Sequence, residues 1–157
     1  RGETPTLLLH RLSRDHLSVI SAWSPEGQLF FSVRETSFNG EAVRFFLQRL
    51  LNEVEGKITV IWDGAPIHRS KLIKSFLADG AAQRLHLERL PGYAPDLNPD
   101  EGVWNWLKNV EMKNQCLSDL DQLKRELRRA IERMRHKTDV IRSFLGLAKL
   151  KPIPSTN

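Results

Sequence analysis

Five β-forming residues, Ile58-Thr59-Val60-Ile61-Trp62, stand in a row and end at Asp63-Gly64. Such a run, without regular polar alternation, predicts a strand buried on both faces. A strand of that kind needs a layer above it and a layer below it. A chain that contains one therefore folds as layered α/β rather than as a helical bundle or an open hairpin.

The flanking sequence supplies those layers. Thr6 to Leu12 reads as an apolar extended segment, and Arg14-Asp15 as a turn. His16 to Trp23 and Gln28 to Arg34 read as strands, joined by the turn signal Ser24-Pro25-Glu26-Gly27 into an antiparallel hairpin. Asn39 is placed to cap a helix in which Val43, Phe46, Leu47, Leu50 and Val54 recur at helical spacing, until Gly56 stops it. A second helix is expected from Ser70 to Ala82, with Leu72, Ile73, Phe76 and Leu77 inward. Arg84 to Leu90 alternates and predicts a half-exposed strand. After the proline-rich loop Pro91 to Pro99, a third helix carries Val103, Trp104, Leu107 and Val110 inward. The last long helix spans Leu117 to His136, with Leu120, Leu123, Leu127, Ile131 and Met134 as its apolar stripe. The order β-β-α-β-α-β-α-α predicts an α/β sheet with a hairpin edge and parallel crossovers, helices lying on both faces.

With 157 residues there is room for one domain, taken as residues 1–151 with a short tail over 152–157. The single cysteine, Cys116, excludes an internal disulfide framework and suits a reducing compartment. No apolar run approaches the roughly 20 residues that cross a bilayer, and the N-terminus lacks the apolar core of a signal peptide. This points away from membranes, toward the cytoplasm or nucleoid of a prokaryote. Opening on Arg1 rather than Met, the chain reads as a fragment whose N-terminal portion is missing. The formal charge is +5. Its basic residues crowd the C-terminal third, where Lys124, Arg125, Arg128, Arg129, Arg133, Arg135, Lys137, Arg142, Lys149 and Lys151 face only Glu126, Glu132 and Asp139. That distribution suits a polyanion such as nucleic acid, and equally a solvated helix face.

Two acids carry candidate chemistry. Asp63 ends a strand at the edge of a sheet where α/β proteins bind ligands, and a carboxylate fixed there suits a hard divalent cation. An ordinary turn aspartate fits the same position. Glu101 lies in Asn98-Pro99-Asp100-Glu101, which makes a capping box with Asn98 as the cap. The capping and metal-binding readings of Glu101 are compatible, since a carboxylate has two oxygens.

The longer string Leu90-Pro91-Gly92-Tyr93-Ala94-Pro95-Asp96-Leu97-Asn98-Pro99-Asp100-Glu101, followed by Trp104, Leu107 and Lys108, resembles the third-acid signature of mariner-type transposases and their bacterial insertion-sequence relatives. Asp63-Gly64-Ala65-Pro66-Ile67-His68 after an apolar strand resembles the second-acid segment of the same DDE superfamily. The resemblance implies an RNase H-like fold and three acids holding two Mg²⁺ or Mn²⁺ ions, with Asp63 as the second and Glu101 as the third. Asn98 and His68 would lie near the site. Asp100 stands where the family often has an apolar residue. The family's first acid would lie on a central strand ahead of Arg1, between the His16–Trp23 and Lys57–Trp62 strands. Asp15, in a polar Ser-Arg-Asp-His stretch, reads as a turn residue instead. That first strand is therefore expected to be absent, leaving either a gap partly filled by Thr6 to Leu12 or disordered behaviour of the isolated fragment, and an incomplete, inactive site.

The activity implied is metal-assisted cleavage of double-stranded DNA at transposon ends and their joining to a target, with a possible homodimer on the DNA. Arg125, Arg128, Arg129 and Arg135 are the candidate phosphate contacts. The alternatives are a domesticated domain that binds DNA or a partner without cutting, and a structural α/β module in which Asp63 and Glu101 are only turn and cap.

Overall fold

The structure, a computed structural model, describes residues 16–92, 98, 100–113, 117 and 119–147. Thr6 to Leu12, the Arg14-Asp15 turn and most of the Tyr93 to Pro99 string lie outside the described residues.

The hairpin forms as its sequence requires. Strands β1 (Ser18–Trp23) and β2 (Leu29–Arg34) pair antiparallel, with Ser18 opposite Arg34 and Trp23 opposite Leu29. The turn is closed by Ser24 donating to the Gln28 carbonyl and Gly27 donating to that of Ser24. Gly27 takes φ +90°, a conformation open to glycine at little cost. Helix α1 (Gly40–Glu53) is capped by Asn39, whose Oδ1 accepts from the Ala42 amide at 2.9 Å. Strand β3 (Ile58–Trp62) then pairs in parallel with β4 (Leu85–Arg89), across a short 3-10 turn (Pro66–Arg69) and helix α2 (Lys71–Ala78). Helices α3 (Asp100–Trp106), α4 (Leu120–Arg135, capped by Asp119) and α5 (Thr138–Leu147) complete the described chain.

Two apolar clusters sit on opposite faces of the hairpin. Leu29 and Phe31 point to one face, against Val103 and Leu107, and against Leu127, Ala130, Ile131 and Met134 of α4 and Ile141 and Phe144 of α5. Phe30 points to the other, against Val43, Phe46, Leu47 and Leu50 of α1, Ile73 and Phe76 of α2, and Leu85 of β4. Burying each large side chain in these clusters stabilises the fold by about 1.5–3 kcal/mol. Helices on both faces of the hairpin match the layered architecture expected.

The antiparallel hairpin and the parallel strand pair of the expected mixed α/β fold are both present, as two two-stranded sheets with no described strand joining β1 to β3. Several finer expectations are corrected. Strand β3 is not covered on both faces. Ile58, Val60 and Trp62 pack on the α1–α2 cluster, while Thr59 and Ile61 are exposed, because α3, α4 and α5 cover the hairpin instead. Helix α2 ends at Ala78, short of Ala82, where Gly80 adopts φ +119° and a 3-10 turn (Ala81–Gln83) follows. Leu72 is exposed rather than inward. So is Val110: a π-helical turn over Leu107–Glu111 follows α3, and its extra residue rotates Glu111 inward in place of Val110. Helix α5 was not expected, although Val140, Ile141 and Phe144 carry its spacing.

The outer edge of β2 is closed by two arginines. Arg49 of α1 donates to the Phe31 carbonyl at 3.0 Å, and Arg135 of α4 donates to the Leu29 carbonyl at 3.2 Å. Each takes a backbone acceptor that would otherwise invite another strand.

Candidate functional site

Asp63 follows β3 directly, so the parallel pair fixes its backbone while its side chain stays 66% exposed. Its Oδ1 accepts from the Ala65 amide at 2.9 Å, the bond expected of a turn aspartate, and from His68 Nε2 at 3.0 Å. Oδ2 has no bond to a described residue. His68 is held by the 3-10 turn and stacks on Trp62 with ring centres 4.2 Å apart. Because Nε2 must carry the proton to reach the carboxylate, Nδ1 is the bare acceptor of a neutral ring; it is buried with no hydrogen-bond partner among the described residues. Burial pushes the His68 pKa below the usual histidine value, and the neighbouring Asp63 opposes this only in part.

A cleft of about 250 Å³ opens beside Asp63. Trp62, Ile73, Leu77 and Leu87 give it an apolar floor, and Arg69, Lys74 and Arg89 bring cations to it. Arg89 is the last residue of β4 and lies opposite Trp62 in the parallel register. Its guanidinium rests on Gly64: a Cβ there would meet Arg89 Nη2 at 2.5 Å. The sequence reading missed Arg89, although its place at the end of the strand beside Trp62 follows from the strand pairing.

Glu101 is on the first turn of α3 and is exposed, with no described partner for its carboxylate. Asn98 caps this helix, its Oδ1 accepting from the Asp100 amide at 3.2 Å. Asp100 turns inward instead. It accepts from Ser21 of β1 at 2.9 Å and from Trp104 Nε1 at 2.8 Å. Burial pushes its pKa above the usual aspartate value, against the pull of those two donors. The acid that departs from the family pattern is thus occupied in tying α3 to β1. Helix α3 also lies close on α5, since a Cβ at Gly102 would meet Phe144 at 2.7 Å.

No hydrogen bond or ion pair joins Asp63 to Glu101. Among the described residues no group of three His, Cys, Asp or Glu could hold a metal ion. Two exposed carboxylates with free oxygens still fit a hard cation such as Mg²⁺ or Mn²⁺ as partial donors.

The basic run is largely neutralised. Arg129 pairs with Glu126, Arg135 with Glu132, Arg142 with Asp139, and Lys124 with Glu35. Arg133 and Lys137 both reach Glu111. Arg125 and Arg128 are exposed with no carboxylate pair among the described residues. Among the described residues, no helix is long and apolar enough to cross a membrane.

Residues 1–124 match the sequence pattern of the DDE superfamily endonucleases, DDE_3. The fold is similar to the Mos1 mariner paired-end complex with Mn, at 15% identity and a TM-score of 0.57 over 95% of this chain and 48% of that one. It is similar to the Mos1 strand transfer complex at 14% identity and a TM-score of 0.60, over 97% and 48% of the two chains. It is also similar to the catalytic domain of Mos1 mariner transposase at 14% identity and a TM-score of 0.53, over 85% and 75%. The chain spans about half the length of the chains in the two complexes. No curated protein matches it in sequence. The architecture is RNase H-like, and with the family pattern running over most of its length, the chain belongs to the DDE superfamily endonucleases.

Proposed function

We propose that this chain forms the catalytic domain of a cut-and-paste DNA transposase, in which Asp63 and Glu101 are two of three metal-holding carboxylates. The observation that carries the proposal is Asp63 itself. It is exposed at the carboxyl end of a parallel strand, with one oxygen fixed by Ala65 and His68 and the other uncommitted. Such a carboxylate is oriented before any ligand arrives. Glu101 is the exposed acid of its turn, since Asp100 is held by Ser21 and Trp104. Asp63 follows β3 and Glu101 starts the helix against β1, and no described strand joins β1 to β3. A third acid belongs on a strand between them; without it, two carboxylates bind an ion but do not cut.

When bound, the metal pair supplies an activated water or 3′-hydroxyl and stabilises the leaving oxygen at a phosphodiester. The protein's own contribution is to present the two exposed carboxylates from β3 and α3, to fix Asp63 through His68 and Ala65, and to bring cations to the adjoining cleft. The similar solved structures include a Mos1 transposase complex with a left transposon end and one with Mn. Double-stranded DNA and Mg²⁺ or Mn²⁺ are accordingly the ligands proposed here.

The test is a Mn²⁺ titration followed by the fluorescence of Trp62, which adjoins Asp63. The wild-type chain should show saturable binding, and Asp63→Asn and Glu101→Gln should each weaken it. Asp100→Asn should leave it unchanged. In a form of the protein that cuts DNA, the first two variants should lose metal-dependent nicking and keep DNA binding. A chain that binds DNA but shows no Mn²⁺ response at Asp63 would instead be a binding domain without nuclease chemistry.

A further inference from the structure

The seat of Arg89 on Gly64 has no structural explanation in the backbone. Gly64 does not adopt the positive φ that calls for glycine, unlike Gly27, Gly56 and Gly80. What glycine provides at position 64 is space, because Arg89 Nη2, Nε and Cζ would all lie within 2.8 Å of a Cβ. The guanidinium therefore occupies the space a side chain at position 64, next to Asp63, would fill. No described carboxylate or carbonyl accepts from it. This contrasts with Arg84, which donates to the carbonyls of Gly56, Leu51 and Val54 and has a structural role. A five-donor fork held beside an acid, with no acceptor of its own, suits an incoming oxyanion. Arg69 and Lys74 line the same cleft and likewise have no carboxylate partner among the described residues.

We infer that Arg89 is a phosphate-contacting residue, which binds the DNA backbone beside Asp63 from its seat on Gly64. The inference rests on the DNA reading above and adds the residue that places the strand next to the acid. The contact is to backbone phosphate, so it contributes affinity and register without reading sequence. It also assigns Gly64 a role: any side chain there pushes the guanidinium out of place. The displaced group is the far end of a flexible side chain, so Gly64→Ala keeps the fold and moves Arg89.

The experiment measures the affinity of the full chain for a duplex oligonucleotide as a function of salt. Arg89→Gln should lower the slope of log affinity against log salt by about one, as expected when one phosphate contact is lost. Gly64→Ala should lower it in the same direction, and the double variant should add little to either. Arg89→Lys should retain most of the slope. Lys57→Gln, at the opposite end of β3, should leave it unchanged. An unchanged slope in Arg89→Gln, with wild-type binding intact, overturns this inference and leaves the transposase reading standing. An equal fall in Lys57→Gln shows a general charge effect and also overturns it. A normal slope in Gly64→Ala removes the seat from the argument and overturns the inference as stated. Failure of the wild-type chain to bind DNA removes both readings, whereas the Mn²⁺ titration at Asp63 tests only the first.

Discussion

His68 Nε2 lies 3.0 Å from Asp63 Oδ1, and the proton in that bond belongs to the imidazole. The ring cannot turn away without losing its stack on Trp62. In the proposed site His68 would act as a positioning residue for the carboxylate, held by its stack on Trp62. His68→Phe keeps a ring against Trp62, removes the hydrogen bond and removes the buried bare nitrogen. We expect it to keep thermal stability and to weaken Mn²⁺ affinity by about 10- to 100-fold, as is typical when a hydrogen bond to a metal ligand is lost. Unchanged affinity by calorimetry would make His68 a packing residue only.

Glu111 is where pH should act on stability. Its carboxylate is only 4% exposed and accepts from Arg133, Lys137 and Trp106. Burial pushes its pKa up, but these donors outweigh burial and hold it below the usual glutamate value. A lowered folded-state pKa contributes stability above the unfolded value near 4.5, and that stability is lost as pH falls through the folded value. Glu111→Gln should therefore cost about 2 kcal/mol at pH 7, toward the low end because Arg133 and Lys137 are themselves half exposed. It should also flatten the acid limb of the stability curve. A parallel limb in denaturant titrations from pH 3 to pH 7 would contradict this.

Three of the four candidate DNA-contacting arginines should separate into two kinds. Arg125→Ala, whose guanidinium has no described carboxylate, and Arg128→Ala, whose charge acts on Glu35 without an ion pair, should each reduce the salt slope of DNA binding. Arg135→Ala should instead lower the melting temperature, because Arg135 bonds to the Leu29 carbonyl and to Glu132. Loss of DNA affinity in Arg135→Ala with an unchanged melting temperature would reverse that assignment.

Amide exchange should distinguish the two edges of β3. Ile58 donates to the Arg84 carbonyl and Leu90 to that of Trp62, so Ile58, Val60 and Trp62 face β4. Thr59 and Ile61 face the opposite edge. Their amides should exchange faster than that of Val60. Equal protection would place a further strand against that edge.

The sequence was most informative where the chain's local chemistry and its tertiary setting agree. Asn39 sets the start of α1 through its side-chain cap and Gly27 closes the hairpin turn through its backbone geometry, and the α1 and α4 stripes follow from helical period. The Ile58–Trp62 run shows the limit. Its composition indicates a strand, but whether Thr59 and Ile61 are covered depends on where α3 to α5 dock. The π turn at Leu107–Glu111 could not be read from apolar spacing, because its effect is to break that spacing. Asp63 and Glu101 were identified from a motif, yet their local patterns equally suit a turn and a cap; Asp63 does take the turn bond to Ala65, whereas the cap on α3 is made by Asn98 and the Glu101 carboxylate has no described partner. The basic run suited a polyanion and a solvated helix face equally in the sequence, because Glu111 and Glu35, which pair with part of it, are distant in sequence.

Arg49 and Arg135 give the hairpin a direction. With the Leu29 and Phe31 carbonyls already taken from two different helices, β2 is a finished margin, and any enlargement of this sheet has to begin at β1. Among the described residues, two guanidiniums thus leave β1 as the side of the hairpin still open to a strand that would join it to the β3–β4 pair.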